Sequence, residues 1–225
     1  MSSQHTRRTV RLRRLIVAGA LATATISTLA LPVTGAQAAP ASAPAKRKAQ
    51  VDPVAAEAVQ AIGSFQRSQI TRDGAAMTAF EQGRDHIAAE MALRLEIDPE
   101  VMQDAWRRAD REHQLAILAA LTQLGVPYRH NASKPGVGFD CSGLTSYAWG
   151  QVGYVIKRQS TAQIREAAPR DEHTAQAGDL VQYPGHVMIW LGVDRAMVHA
   201  PYSGRNVEVD TFSARRKVKF GDPTG

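Results

Sequence analysis

From Leu180 to Phe220 the chain breaks into short runs of β-forming residues parted by turn residues. The predicted strands are 180–183, 186–191, 196–200, 207–209 and 217–220. Before them the texture is helical. Asp52-Pro53 introduces Val54, Ala55, Ala58, Val59 and Ile62 at helical spacing, and a second periodic stretch runs over 75–97 with Met77, Phe80, Ile87, Met91 and Leu95 on its apolar side. Asp98-Pro99-Glu100 opens a third helix with cap, N1 proline and first-turn carboxylate in the favoured order. A fourth carries Leu115, Ile117, Leu118, Leu121 and Leu124 and stops at Gly125. Helices first and hairpin-spaced strands afterwards predict an α+β fold with an antiparallel sheet.

The segment ahead of the helices differs in character. Arg7, Arg8, Arg11, Arg13 and Arg14 precede an apolar run from Leu15 to Leu31, then Pro32 and Ala36-Gln37-Ala38. A basic stretch, an apolar stretch and a small-residue ending read as a secretory signal over residues 1–38, with a membrane anchor as the alternative for the apolar run. Whether export is general or twin-arginine stays open. Five of the 27 Lys and Arg lie before residue 39 and none of the 21 Asp and Glu, so the remainder carries a net charge of only +1. No basic stripe with interleaved aromatics is left, and nucleic acid is not an expected partner. Residues 39–51, rich in Ala, Pro, Ser and Lys, read as a disordered linker.

Cys141 is the only cysteine. Asp140 before it is a good N-cap, and Cys141, Leu144, Tyr147, Ala148 and Val152 then recur at helical spacing up to Gly153. A thiol in a first helical turn faces unpaired backbone N–H groups and the positive end of the helix dipole, both of which favour the thiolate. A buried small hydrophobe would be the plainer use of a lone cysteine. The polar or tiny neighbours Asp140, Ser142 and Gly143 argue instead for a nucleophile.

The strand-forming run from His186 to Leu191 alternates, with His186, Met188 and Trp190 on one face and Val187, Ile189 and Leu191 on the other. With Val193-Asp194 as the turn tip, Leu191 faces Ala196 and Met188 faces His199. His199 then lies diagonally from His186 on one face, within reach of a ring-to-ring hydrogen bond. An activated thiol needs a base that is itself oriented by a third group, and His186 and His199 fit those roles. His86 and His113 sit on helices and His173 in a polar loop, while His130 precedes the cysteine closely enough to line a cleft. No C-x-x-C or H-x-x-x-H accompanies Cys141, His186 and His199, so no metal site is expected.

Phe139-Asp140-Cys141-Ser142-Gly143-Leu144, Arg158-Gln159-Ser160-Thr161-Ala162-Gln163, Gly178-Asp179-Leu180-Val181, the run from His186 to Gly192 and Met197-Val198-His199-Ala200 follow one another in order. Together they resemble the motifs of the NlpC/P60 cysteine peptidases, over about half the chain. The resemblance implies a papain-like α+β core in which a helix-borne cysteine packs on an antiparallel sheet. It also implies hydrolysis of peptidoglycan stem peptides, commonly between D-γ-glutamate and the diamino acid at position three. By that similarity Cys141 is the nucleophile, His186 the base and His199 the third polar residue. Tyr128 matches a tyrosine that helps line the oxyanion side, and Asp140 and Ser142 match flanking substrate contacts. No cofactor is implied.

Three features depart from the family pattern. Tyr128-Arg129-His130-Asn131 lacks the usual Trp-Gly-Gly after the tyrosine, the link from Leu180-Val181 to His186 is short, and Met188 replaces a customary glycine. On this reading residues 112–225 are the catalytic domain and 52–111 a helical accessory region. That region is a packed scaffold or spacer, or else a pro-segment over the active site. The protein is expected to be a secreted monomer, extracellular or cell-wall associated, without stable membrane association after signal removal. The alternatives are an amidase or acyl-transfer enzyme of the same superfamily, or a non-catalytic wall-binding protein.

Overall fold

Aspartate caps start four of the helices in the computed structural model, which describes residues 52–225. The signal and linker expected over residues 1–51 lie outside the described residues. Asp52 accepts from the Val54 amide at 3.0 Å to begin α1 (Pro53–Thr71), and Asp73 from Ala75 at 2.9 Å to begin α2 (Gly74–Arg94). Asp98 caps α3 (Pro99–Arg108) through the Glu100 amide at 2.9 Å, with Pro99 at N1 and Arg107 and Arg108 in the last turn. After α4 (Arg111–Leu121), Asp140 caps α5 (Cys141–Gln151) through the Gly143 amide at 2.7 Å. A short α6 (Ser160–Glu166) follows. Arg94 returns to the first cap, donating to both Asp52 oxygens at 2.7 and 3.0 Å and tying the end of α2 to the start of α1.

The strands are β1 (Ser133–Lys134), β2 (Gly138–Phe139), β3 (Ala168–Arg170), β4 (Leu180–Tyr183), β5 (His186–Trp190), β6 (Ala196–His199), β7 (Glu208–Thr211) and β8 (Lys219–Asp222). β1 and β2 form a small separate pair. The other six form one antiparallel sheet in the order β3-β8-β4-β5-β6-β7. The fold is therefore α+β with an antiparallel sheet, as the sequence predicts. The central hairpin also has the predicted register: Ile189 faces Val198, Trp190 faces Met197, and the Leu191 amide donates to Ala196 at 2.9 Å.

Alternation along β5 divides the apolar residues between two clusters. Val187, Ile189 and Leu191 join the main core with Phe80, Met91, Ile117, Leu118, Leu144 and Trp149 from the helices. Met188 and Trp190 join Val181, Met197, Phe212 and Phe220 in a smaller cluster. All five β5 residues are buried as a result.

Residues 52–111 enter the same core rather than standing apart from it. Trp106 on α3 is fully buried and its indole donates to the Leu191 carbonyl at 2.9 Å. Beside it Gly192 has φ 84°, and a Cβ there would meet Ala177 Cβ at 2.5 Å and Ala105 Cβ at 3.0 Å. The grip is thus at the end of β5 opposite His186, roughly 15 Å along the strand. Trp106→Ala is expected to destabilise the protein by about 3–5 kcal/mol, through lost transfer free energy and the cavity left behind. Urea unfolding of the two proteins measures this.

Candidate active site

Cys141 occupies the first position of α5 and is half-buried. The chain around it is closely packed. The Asp140 amide donates to the Ala132 carbonyl at 3.0 Å, and a Cβ on Gly143 would come within 2.0 Å of that same oxygen. Only glycine fits there. Arg158 clasps the assembly from outside, donating to Asp140 Oδ1 at 2.9 Å, Asp140 Oδ2 at 2.7 Å, Ser142 Oγ at 2.9 Å and the Ala132 carbonyl at 3.2 Å. Asp140 and Ser142 thus line the cleft while their polar atoms serve the turn that presents Cys141.

The cleft has a volume of about 560 Å³ and is lined by Tyr128, His130, Asn131, Asp140, Cys141, Ser142, Arg158, Gln159, Ser160, Thr161 and Gly185. No residue of 52–111 lines it. A cavity of about 670 Å³ between α1, α4 and α5 and one of about 610 Å³ beside β3 and β8 are larger, but neither is lined by a cysteine or a histidine. Size does not mark the chemistry here.

Tyr128 lines the same cleft, its amide bonded to the Arg205 carbonyl at 2.9 Å and its backbone bridged to Phe139. Burial pushes its phenol above the ordinary value, and the negative charges of Cys141 and Asp140 push the same way. The Tyr183 phenol is raised likewise, by burial first and by Cys141 among the lesser causes. Tyr183 is the partner of His186 across β4 and β5, with ring centroids 5.3 Å apart.

His186 is the first residue of β5 and follows Gly185 on the cleft rim. Its Nε2 lies 2.9 Å from His199 Nδ1, both rings buried and nearly perpendicular at 77°. This is the contact expected from the hairpin register. Burial lowers the His186 pKa from 6.5 to about 4, with the nearby His199 and the Arg216 guanidinium as further causes. Arg216 lies over the Tyr183 ring at 4.3 Å. His186 is accordingly neutral at pH 7, the form in which an imidazole accepts a proton.

The same shift predicts an acid-dependent loss of stability. Between pH 6.5 and about 4 the unfolded chain takes up a proton on residue 186 that the folded chain refuses. The contribution is complete above pH 6.5 and is lost as the pH falls through that window, on the order of 3 kcal/mol. Wild type is expected to lose that much more stability than His186→Gln between pH 7 and pH 4, measured by urea unfolding at each pH.

Two groups escape the sequence reading. Glu208 is the β7 partner of His199, with Oε1 3.5 Å from His199 Nε2. The other is His113. Its Nε2 lies 3.0 Å from Asp179 Oδ1 and 3.3 Å from Asp222 Oδ1, all three side chains being buried. The remaining carboxylate oxygens are taken up: Asp179 Oδ2 by the Gln176 amide, Asp222 Oδ2 by Arg170 and Asp222 Oδ1 also by Thr224. Burial pushes the Asp222 carboxyl up, but the hydrogen bonds from Thr224 and Arg170 outweigh it and hold the group below its ordinary range. With these donors in place the trio is a hydrogen-bonded tie between α4 and the sheet, lying outside the cleft.

Residues 125–219 match the family model described as the NlpC/P60 family. A probable endopeptidase of Corynebacterium glutamicum (strain R) is 40% identical over 116 residues, which cover 50% of this chain and 54% of the relative. A gamma-D-glutamyl-L-lysine dipeptidyl-peptidase of Bacillus cereus is 36% identical over 94 residues, or 38% of this chain and 28% of the relative. The solved NlpC/p60 domain of the peptidoglycan hydrolase SagA is 31% identical; the match covers 48% of this chain and 97% of that one, with a TM-score of 0.44. The chain spans about half the length of the curated relatives it matches, or less.

Proposed function

The chain carries an NlpC/P60 domain over residues 125–219, and on that premise we propose that it is a cysteine endopeptidase acting on peptidoglycan stem peptides. The bond we assign is the one between D-γ-glutamate and the diamino acid, as the name of the Bacillus cereus relative suggests for that protein. The observation that carries the reading is the histidine pair joined at 2.9 Å, whose first member directly follows Gly185, a residue lining the same cleft as the helix-start thiol of Cys141.

In this mechanism His186 removes the proton from Cys141 Sγ as the sulfur attacks the γ-carbonyl carbon. The oxyanion forms at the N-terminus of α5, where backbone N–H groups and the helix dipole stabilise it, with Tyr128 on the same side. Collapse breaks the C–N bond, His186 passes its proton to the departing amine, and a γ-glutamyl thioester remains on Cys141. Water deprotonated by His186 then releases the acid and restores the thiol. His199 holds the His186 ring throughout.

Residues 112–225 form the catalytic domain in this account. Residues 52–111 are its scaffold, which fits their burial in the shared core and their absence from the cleft lining. Export with loss of residues 1–38 brings the enzyme, as a monomer, to the cell wall; no described helix is long and apolar enough to cross a membrane. The test is a soluble stem tetrapeptide followed by mass spectrometry. Products that part at the γ-glutamyl bond support the assignment, and cleavage elsewhere refutes it.

A further inference from the structure

We propose that Glu208 is a positioning residue that sets the tautomer of His199, so that the site is a line of four groups, Cys141–His186–His199–Glu208. The proposal rests on the reading of Cys141 and His186 as nucleophile and base. Its geometric ground is independent of that reading. The β6–β7 register puts Glu208 directly across from His199, with its Oε1 3.5 Å from His199 Nε2. That Nε2 is buried and makes no hydrogen bond. A buried ring N–H without an acceptor is costly, and the Glu208 carboxylate is the group at hand to supply one.

The protonation states follow from the chain of contacts. For His186 to take a proton from sulfur on one nitrogen, its Nε2 must carry the other hydrogen and donate to His199. His199 Nδ1 must then accept, which leaves its own hydrogen on Nε2, pointing at Glu208. A carboxylate accepts only, so it enforces this tautomer.

Glu208 is held for the task. Arg205 donates to both of its oxygens, through Nε at 3.0 Å and through a terminal nitrogen, and also to the Tyr202 hydroxyl at 3.3 Å. The same stretch pairs with the Tyr128 segment through Pro127 and Asn206. One strap thus braces the rear of the histidine pair and the wall of the cleft together. Asp210, two residues on along β7, brings a carboxylate oxygen within 4.8 Å of the same His199 and Glu208 atoms, but Glu208 is the residue directly opposite His199, and Arg216 lies over Tyr183.

Glu208→Gln is the discriminating variant, because an amide of the same shape can donate to Nε2 and stabilise the wrong tautomer. The expected loss in kcat is about 10- to 100-fold, typical of partners that orient a functional histidine from behind. KM should stay within about twofold. Glu208→Asp restores most of the rate, and in a His199→Asn background Glu208→Gln costs nothing further.

A second readout needs no substrate: alkylation of Cys141, the only thiol, by iodoacetamide at pH 7 should slow in Glu208→Gln and recover in Glu208→Asp. Unchanged kcat and alkylation in a folded Glu208→Gln, or an undiminished loss in the His199→Asn background, overturns the proposal. If wild type hydrolyses no stem peptide while alkylation still depends on Glu208 through His199, the line of four stands and the peptidase reading falls. Hydrolysis that needs Cys141 and ignores Glu208 keeps the peptidase reading and removes Glu208 from the line.

Discussion

Cys141→Ser and His186→Ala are each expected to reduce kcat on stem peptides by at least about 10³-fold, because nucleophile and base act as a unit. In the proposed mechanism a serine hydroxyl, far less acidic than a thiol, gives up its proton to His186 much less readily. Cys141→Ser changes one half-buried atom, so its unfolding transition should stay close to that of wild type. The double variant should be scarcely worse than either single one. His199→Asn is expected to cost less, since an orienting group is partly replaceable. Steady-state kinetics on one soluble peptide, with circular dichroism as the folding control, measures the whole series. Inactive His199 variants beside active His186 variants would reverse the assigned roles.

The two largest expected effects on stability both lie outside the cleft, at Trp106 and at His113. His113→Ala leaves the buried Asp179 Oδ1 without a partner among the described residues, while Asp179 Oδ2 keeps the Gln176 amide and Asp222 keeps Arg170. Breaking a buried charge network from one side costs about 3–5 kcal/mol. The edge contact of the His113 ring with Trp149, centroids 4.9 Å apart, is lost as well. A drop of that size in urea unfolding is expected, and one below about 1 kcal/mol would mean that the trio contributes no more than an ordinary surface pair.

The contrast between His186 and His113 shows what the sequence can carry. His186 and His199 share one hairpin, so strand alternation and a short turn suffice to bring them together. Asp194 at φ 46° and Gly192 at φ 84° are the residues that let that turn close. His113 meets Asp179 and Asp222 only through the packing of α4 on the sheet. No local period announces such a contact, and a buried helical histidine reads like any other. Glu208 is intermediate: alternation with Val207 and Val209 marks its face, but the long connection after His199 hides which residue it opposes.

The same distinction explains why some strands are hidden in the sequence. β3 is three residues long, contains Pro169, and exists because β8 pairs with it from some fifty residues away. β1 and β2 are too short to show a pattern. Arg158 belongs to a recognisable motif, yet its clasp on Asp140 and Ser142 emerges only once α5 and the loop before α6 are in place.

The central claim is that Cys141 opens stem peptides at the γ-glutamyl bond, and digestion of purified sacculi by the isolated protein tests it most directly. Mass spectrometry of the released fragments should show stems truncated to end in D-γ-glutamate, together with peptides bearing a free amino terminus on the diamino acid. Cys141→Ser should release neither. Intact stems after wild-type digestion, or the same fragments from the serine variant, would contradict the account.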